Sequence, residues 1–311
     1  MSKSIRDVYG DSLAKYGALN PNVVVLDADT SNSTKTLGFA QAFPERFYNV
    51  GIAEQNMMGM AAGFATMGKI PFVNTFAIFL CTLGGLSARS LIAYSDLNVK
   101  LMGAYGGLSD ALDGASHHAI EDLAIFRAIP NFRVFVASDA MITDWLVKTA
   151  IDARGPMFIR LSRDAMPDIY TGRDSFEIGK GKIVREGKDA ILFACGLMVS
   201  EGLKAADALA KEGISLKVAD LFTIKPIDTE LIITCAKETG VVITAEEHTV
   251  IGGLGGAVAE VLATNGVGAR LEMVGIKDVF SETGPYPSLL RKFDIDAQAI
   301  AAAVKRALGK A

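Results

Sequence analysis

The chain has 311 residues, half of them apolar, with 31 basic and 35 acidic side chains and a formal net charge of −4. That length exceeds one ordinary α/β domain and suits two, each able to bury its own core. No basic stripe stands out and only 1 Trp is present, so nucleic acid is a poor fit as partner, while small or acidic metabolites stay open as ligands.

The opening residues, MSKSIRDVYGDSLAKYG, lack the apolar run of a signal or transit segment. The most apolar stretch, Ile70 to Leu86, is broken by Pro71, Asn74, Thr75, Thr82 and Gly84-Gly85, whereas a membrane span needs about 20 apolar residues in a row. Buried core is the expectation for it, and no membrane association. Cys81, Cys195 and Cys235 lie far apart with no CxxC pairing, each after an apolar run. Reduced, buried thiols in a cytoplasmic protein are expected.

In chain order, short β-branched runs alternate with amphipathic stretches. The pattern predicts an α/β protein of two doubly wound domains, each a mostly parallel sheet flanked by helices. The first half reads as helix Ile5–Tyr16, strand Val23–Asp27, helix Glu54–Met67, strand Pro71–Phe76, helix Leu86–Ala93 and strand Val99–Ala104. Helix Ala119–Ala128, strand Arg133–Ala137, helix Met141–Ala153 and strand Met157–Leu161 follow, with Ser138-Asp139 as N-cap of the last helix. The charged loop Asp164–Ser175, with Pro167 and Gly172, separates the expected domains, 1–168 and 178–311. Strand Ala190–Ala194, helix Ser200–Glu212, strands Leu216–Asp220 and Val241–Glu246, and helices Gly255–Ala263 and Ala297–Leu308 complete the reading.

Residues 47–80 read FYNVGIAEQNMMGMAAGFATMGKIPFVNTFAIFL. A Val50-Gly51 turn leads into a helix with Glu54 in its first turn, followed by Met57, Met58, Met60, Ala61, Ala62 and Phe64. A helix apolar almost all round is buried. The carboxylate at its head is either an ordinary first-turn Glu, favoured by free N–H groups and the helix dipole, or a group whose task needs a raised pKa.

The Val-Gly-x-x-Glu turn, the Ala/Gly-rich helix and the Pro-Phe-x-x-Thr-Phe strand, in this order and spacing, resemble the pyrimidine-binding domain of transketolases. The resemblance implies that Glu54 hydrogen-bonds N1′ of the aminopyrimidine of thiamine diphosphate and favours its 4′-imino form. The imino nitrogen can then remove the thiazolium C2 proton. It also implies that Phe76 stacks on the pyrimidine. Phe72 and Phe79 are expected in the core, Phe72 on the same strand face as Phe76.

Residues 103–122, GAYGGLSDALDGASHHAIED, are similar to the family loop Gly-Glu-Asp-Gly-x-Thr-His-Gln at Asp113-Gly114 and Ser116-His117. By that likeness His117 bonds a substrate carbonyl or enamine oxygen and Asp113 a sugar hydroxyl; His118 is the lesser candidate. Adjacent His residues chelate one zinc poorly and no Cys or third His is near, so no metal ligands are expected from this chain. Tyr105 stands where relatives that handle sugar phosphates tend to have His, and Leu112 where they have Glu, which points to an unusual donor such as a sulfo-sugar or branched-sugar phosphate. Arg6 and Ser33 (or Ser31) fall near family phosphate positions, as does Arg163 at a strand's carboxyl end, where a guanidinium can grip a phosphate or sulfonate with two N–H groups. Asp29 resembles a position that orients the loop near the thiazolium.

KVADLFTIKPI, residues 217–227, and residues 245–248 with the following GGLGG resemble the transketolase C-terminal domain. The glycine run lacks the G-x-G-x-x-G spacing; close backbone packing at a subunit contact is expected of it, and His248 is a site or interface candidate. A Gly-Asp-Gly motif with a downstream Asn, which holds the Mg²⁺ of thiamine-diphosphate enzymes, is absent. The resemblance thus covers the last two of transketolase's three domains. It implies a separate N-terminal subunit that carries the diphosphate-binding domain and Mg²⁺ ligands, in an α₂β₂ assembly. The implied reaction is transfer of a two-carbon ketol unit from a ketose phosphate or sulfonate to an aldose. The beta subunit of a 2-oxoacid dehydrogenase and a non-catalytic partner subunit are the other readings.

Overall fold

The computed structural model describes residues 4–310; Met1–Lys3 and Ala311, at the outer ends of the two expected domains, lie outside the described residues. The strands in chain order are β1 (Val23–Asp27), β2 (Phe47–Asn49), β3 (Ile70–Phe76), β4 (Lys100–Ala104), β5 (Arg133–Val136), β6 (Met157–Arg160), β7 (Lys182–Arg185), β8 (Ala190–Ala194), β9 (Leu216–Asp220), β10 (Thr223–Lys225), β11 (Val241–Thr249) and β12 (Arg270–Ile276). They form a 7-stranded sheet, β10-β5-β6-β4-β3-β1-β2, and a 5-stranded sheet, β12-β11-β8-β9-β7. Every pairing is parallel except β10 with β5 and β7 with β9. The chain is therefore α/β, with two mostly parallel sheets flanked by helices.

Strand alternation explains how the first sheet is covered on both faces. Val24 and Leu26 of β1 and Val73 of β3 pack with Met57, Met58 and Ala61 of helix Glu54–Thr66. Val23, Val25 and Phe72 point the other way, onto Ile5, Tyr9 and Leu13 of helix Ile5–Gly17 and Leu146 of helix Ala140–Asp152. Burying such rows on each face is the main favourable term in folding.

The strands read from sequence match to within a few residues. Four were missed, β2, β7, β10 and β12, and all four lie at sheet edges. An edge strand covers only part of its surface, so its residues carry no sustained apolar run. The TIK segment of β10 reaches from the second half of the chain to pair with β5. Helix Ala119–Ala128 starts late, at Asp122, because the Ala119 backbone bridges to Gly106 and Gly107. The expected helix Leu86–Ala93 is a short turn, Gly85–Ser87, that widens into a π-helical turn over Ala88–Ala93.

Two predicted roles in the second half change. The middle of the glycine run packs inside the chain: a Cβ at Gly253 would land on the carboxylate of Glu246 and the ring of His248. Glu246 instead accepts the backbone N–H groups of Leu254 and Gly255 at 2.7 and 2.8 Å, capping helix Leu254–Thr264. His248 is fully buried; it donates from Nδ1 to Thr249 O at 2.7 Å and accepts at Nε2 from Ala124 N at 3.3 Å. Burial pulls its pKa down to about 3, so it is a neutral internal tie between β11 and helix Asp122–Ala128. The three cysteines are buried and unpaired, and burial pushes each thiol up. Among the described residues no helix is long and apolar enough to cross a membrane.

The loop after β6 is held by carboxylates. Asp139 caps its helix through Ile142 N at 2.9 Å and accepts the N–H groups of Ile169 and Tyr170 with its other oxygen. Asp220, at the end of β9, accepts the hydroxyls of Ser138 and Tyr170. Burial pushes Asp220 up to about 7, so the folded chain keeps a proton that the unfolded chain loses near pH 4. The penalty for charging this buried acid is absent below about pH 4, grows as pH rises, and is complete above about pH 7. Asp220→Asn removes it. Urea unfolding should show the unaltered chain losing up to a few kcal/mol relative to Asp220→Asn between about pH 4 and 7; parallel profiles would contradict this.

Candidate active site

Because β1, β2, β3, β4 and β6 run parallel, the segments that leave their carboxyl ends share one edge of the sheet. Asp29 and Ser33 follow β1, Glu54 follows β2, Phe76 ends β3, Tyr105 follows β4 and Arg163 follows β6. Arg6 joins them because Ser4 bridges to Ala165 and its hydroxyl donates to Arg163 O at 3.1 Å. His117 comes from the loop after Tyr105. The sheet topology thus gathers the predicted site residues, from Arg6 to Arg163, along one rim.

Gly51, at φ 71°, turns the chain out of β2 into the helix that begins at Glu54. Glu54 is 5% exposed, and no described side chain or backbone group hydrogen-bonds or pairs with its carboxylate. Phe76 is half-buried and stacks on Tyr105, with ring centroids 4.6 Å apart and planes 17° apart. Phe72 is fully buried, as expected. Phe79 is not enclosed: it rests on the core on one side and meets the His117 ring edge-on at 5.3 Å on the other. Phe76, Phe79, Tyr105 and His117 make one aromatic patch, within which ring pairs of this geometry are each worth about 0.5–1.5 kcal/mol beyond burial.

Tyr105 is buried and sits at φ 59°, a left-handed conformation that costs a non-glycine residue about 1–2 kcal/mol and tends to persist at functional sites. Arg6 donates from Nη1 to the Tyr105 hydroxyl and to Ser33 O. The guanidinium carbons of Arg6 and Arg163 lie 5.5 and 5.2 Å from the Tyr105 ring centre. The Ser33 turn hangs on Asp27, whose carboxylate accepts Thr30 N and the hydroxyls of Thr30, Thr34 and Thr36. Asp29 is exposed at φ 63° and accepts from Asn49 Nδ2 at 2.9 Å.

Asp110, which the sequence reading passed over, pairs with Arg163 at 3.0 Å and is fully buried. Burial, and then the neighbouring Asp113 carboxylate, push it up to about 7 against the pull of Arg163. Asp113 itself is exposed, and Leu112 is 66% exposed. The two histidines separate. His117 is half-buried, with Ser116 Oγ at 3.0 Å from its Nδ1. His118 is buried, with Nδ1 on Ser281 Oγ and Nε2 on Asp110 O at 3.1 Å, and burial lowers its pKa. His118 braces the loop from within.

The loop that carries Tyr105, Asp113 and His117 is fastened by the second half of the chain. Glu247 of β11 accepts Leu108 N at 2.6 Å and the Tyr286 hydroxyl at 2.9 Å. A Cβ at Gly107, φ 65°, would overlap that carboxylate, so only glycine fits there. Sequence gave no signal for Glu247, Ser281 or Tyr286 because their partners are about 40 to 160 positions away. Glu247→Ala leaves a buried N–H without an acceptor, a cost of about 1–3 kcal/mol. Hydrogen exchange at Leu108 should accelerate by a factor of ten or more, and an unchanged rate would show that the loop is held otherwise.

The rim thus combines a buried carboxyl without an internal partner, an aromatic patch and two cations, a set suited to a flat heteroaromatic cofactor beside a substrate with an anionic end. The family model for the transketolase pyrimidine-binding domain matches residues 1–168, and that for the transketolase C-terminal domain matches residues 179–300. A putative transketolase C-terminal section from Methanocaldococcus jannaschii is 44% identical over 99% of this chain and 97% of its own. The 6-deoxy-6-sulfo-D-fructose transketolase subunit of a Clostridium species is 40% identical over 95% of this chain and 92% of its own. Human transketolase is 38% identical over 98% of this chain, which spans 49% of that protein. A solved split gene transketolase, described as an inactive beta4 tetramer, superposes with a TM-score of 0.91 at 47% identity over 99% of each chain. The chain belongs to the transketolase family.

Proposed function

We propose that this chain is the subunit of a cytoplasmic, thiamine-diphosphate-dependent transketolase that supplies the cofactor-activating carboxylate, Glu54. The reaction is transfer of a two-carbon ketol unit from a ketose phosphate or sulfonate to an aldose. One observation carries the reading: Glu54, 5% exposed as a residue, heads a helix that buries only one face, and its carboxyl is engaged by no group of the described chain. Its oxygens are not sealed in the interior, so an outside partner can reach the carboxyl. N1′ of an aminopyrimidine fits it, and the half-open ring of Phe76, backed by Tyr105, fits the pyrimidine face.

When bound, thiamine diphosphate would supply the nucleophilic carbon. Glu54 would hydrogen-bond N1′ through its unpartnered carboxyl. His117, whose Nδ1 is taken up by Ser116, keeps Nε2 for a substrate oxygen. Asp113 would take a sugar hydroxyl; Arg6, Ser33 and Arg163 the anionic end; Asp29 would shape the turn beside the cofactor. We take 1–168 as the pyrimidine-binding domain and 178–311 as the C-terminal domain.

The reading assigns Mg²⁺ and the diphosphate to a separate N-terminal subunit, in an α₂β₂ assembly. In support, a putative transketolase C-terminal section and a transketolase subunit match this chain over 97% and 92% of their own lengths. Large apolar side chains also stand uncovered beside the Glu54 helix: Ile52 at 85%, Leu86 at 68% and Tyr94 at 87% exposed. Apolar side chains grouped in this way mark contact surfaces.

Glu54→Gln in the reconstituted pair should lower turnover at least about a hundredfold while co-purification with the partner is unchanged. Full turnover in that variant would favour the non-catalytic reading. Tyr94→Glu should weaken the subunit contact, read as dissociation by analytical ultracentrifugation; undiminished assembly would remove this surface from the interface.

A further inference from the structure

The two guanidinium groups beside Tyr105 are not equivalent. Arg163 is already paired at 3.0 Å with a fully buried carboxylate, Asp110. The second oxygen of Asp110 is buried and meets no donor among the described residues, and the Asp113 carboxylate lies beside it. Arg6 has no carboxylate partner among the described residues; it donates to Ser33 O and to the Tyr105 hydroxyl. Resting on the transketolase reading above, we propose that Asp110 and Tyr105 determine specificity, making this subsite select a substrate tail with one negative charge, such as a sulfonate, over a phosphate dianion.

The charge count carries the argument. Arg6 and Arg163 together with Asp110 leave one uncompensated positive charge at Tyr105, and Asp113 reduces it further from the solvent side. A sulfonate meets that single charge on Arg6 without disturbing Arg163. A phosphate dianion has two poor options. It can draw Arg163 away and leave Asp110 buried and unpaired, which is costly, or it can hold its second charge close to Asp110 and Asp113. The Tyr105 oxygen accepts from Arg6, so its own O–H is left to donate to a sulfonate oxygen. It adds a hydrogen bond and no charge, whereas an imidazole at this position could add a cation.

The test uses the full chain at about pH 8, where a phosphate monoester, with its second pKa near 6, is a dianion and ordinary imidazoles are neutral. Methanesulfonate and methyl phosphate are titrated at matched ionic strength. The readout is the NMR signals of the Arg6 and Arg163 side-chain Nε–H groups, assigned with Arg6→Lys and Arg163→Lys. Methanesulfonate should bind roughly tenfold more tightly. Asp110→Asn should erase or invert that preference, and Tyr105→Phe should weaken sulfonate binding. If Asp110→Asn does not fold, the ratio in the unaltered chain and the loss of sulfonate binding in Tyr105→Phe decide the matter. Equal or tighter binding of methyl phosphate by the unaltered chain overturns the proposal, as does an unchanged ratio in Asp110→Asn, or the absence of any shift with either anion. Because this readout needs neither cofactor nor turnover, its failure and that of the Glu54 reading are told apart.

Discussion

Arg160 is the constraint on which the arrangement rests. It ends β6, is 4% exposed, and reaches Asp122 at 3.1 Å, Ala119 O at 2.7 Å and Glu247 O at 2.8 Å. One guanidinium therefore ties β6, an interior strand of the first sheet, to the segment before helix Asp122–Ala128 and to β11 of the second sheet. Gly106 is required beside it, since a Cβ there would overlap the Arg160 side chain. A buried ion pair of this kind adds little net stability, but loss of one member strands a charge in the interior. Its value lies in fixing one register between the two halves.

That register places the second half of the chain behind the site. Glu247, Ser281 and Tyr286 hold the loop of Tyr105, Asp113 and His117 from below, while Asp110 and His118 are the loop's own internal braces. The C-terminal half contributes no residue to the rim of candidates, yet the position of three of them depends on it. Preorganisation of this sort fixes polar groups before a ligand arrives, so less free energy is spent on ordering them at binding.

The charge of the rim is distributed unevenly for the same reason. Arg163 reaches its place through a buried carboxylate, whereas Arg6 reaches its place through a backbone bridge between Ser4 and Ala165. The first route neutralises the guanidinium and the second does not. Two arginines that look alike in sequence thus offer a ligand different charge.

Much was legible in the sequence itself. The apolar runs of β1, β3, β8 and β9 are fixed by local composition, because a segment buried on both sides must be apolar throughout; the helix after Glu54, apolar almost all round and expected to be buried, instead buries one face and leaves Gln55, Asn56 and Gly63 exposed. Glu54 and Phe76 are singled out by the resemblance of their segment to the transketolase pyrimidine-binding domain. What the chain alone did not decide was anything set by a distant partner. The edge strands were invisible because their pairing, not their composition, makes them strands. Glu247, Asp110 and Arg160 read as ordinary charged residues until the fold withdrew them from water and gave each a specific neighbour. His248 reads as a candidate for a site or an interface until its burial beside Glu246 and Gly253 shows it to be interior. Local sequence determines which segments are buried; only the tertiary structure decides which charges are buried together, because that depends on contacts between residues far apart in the chain.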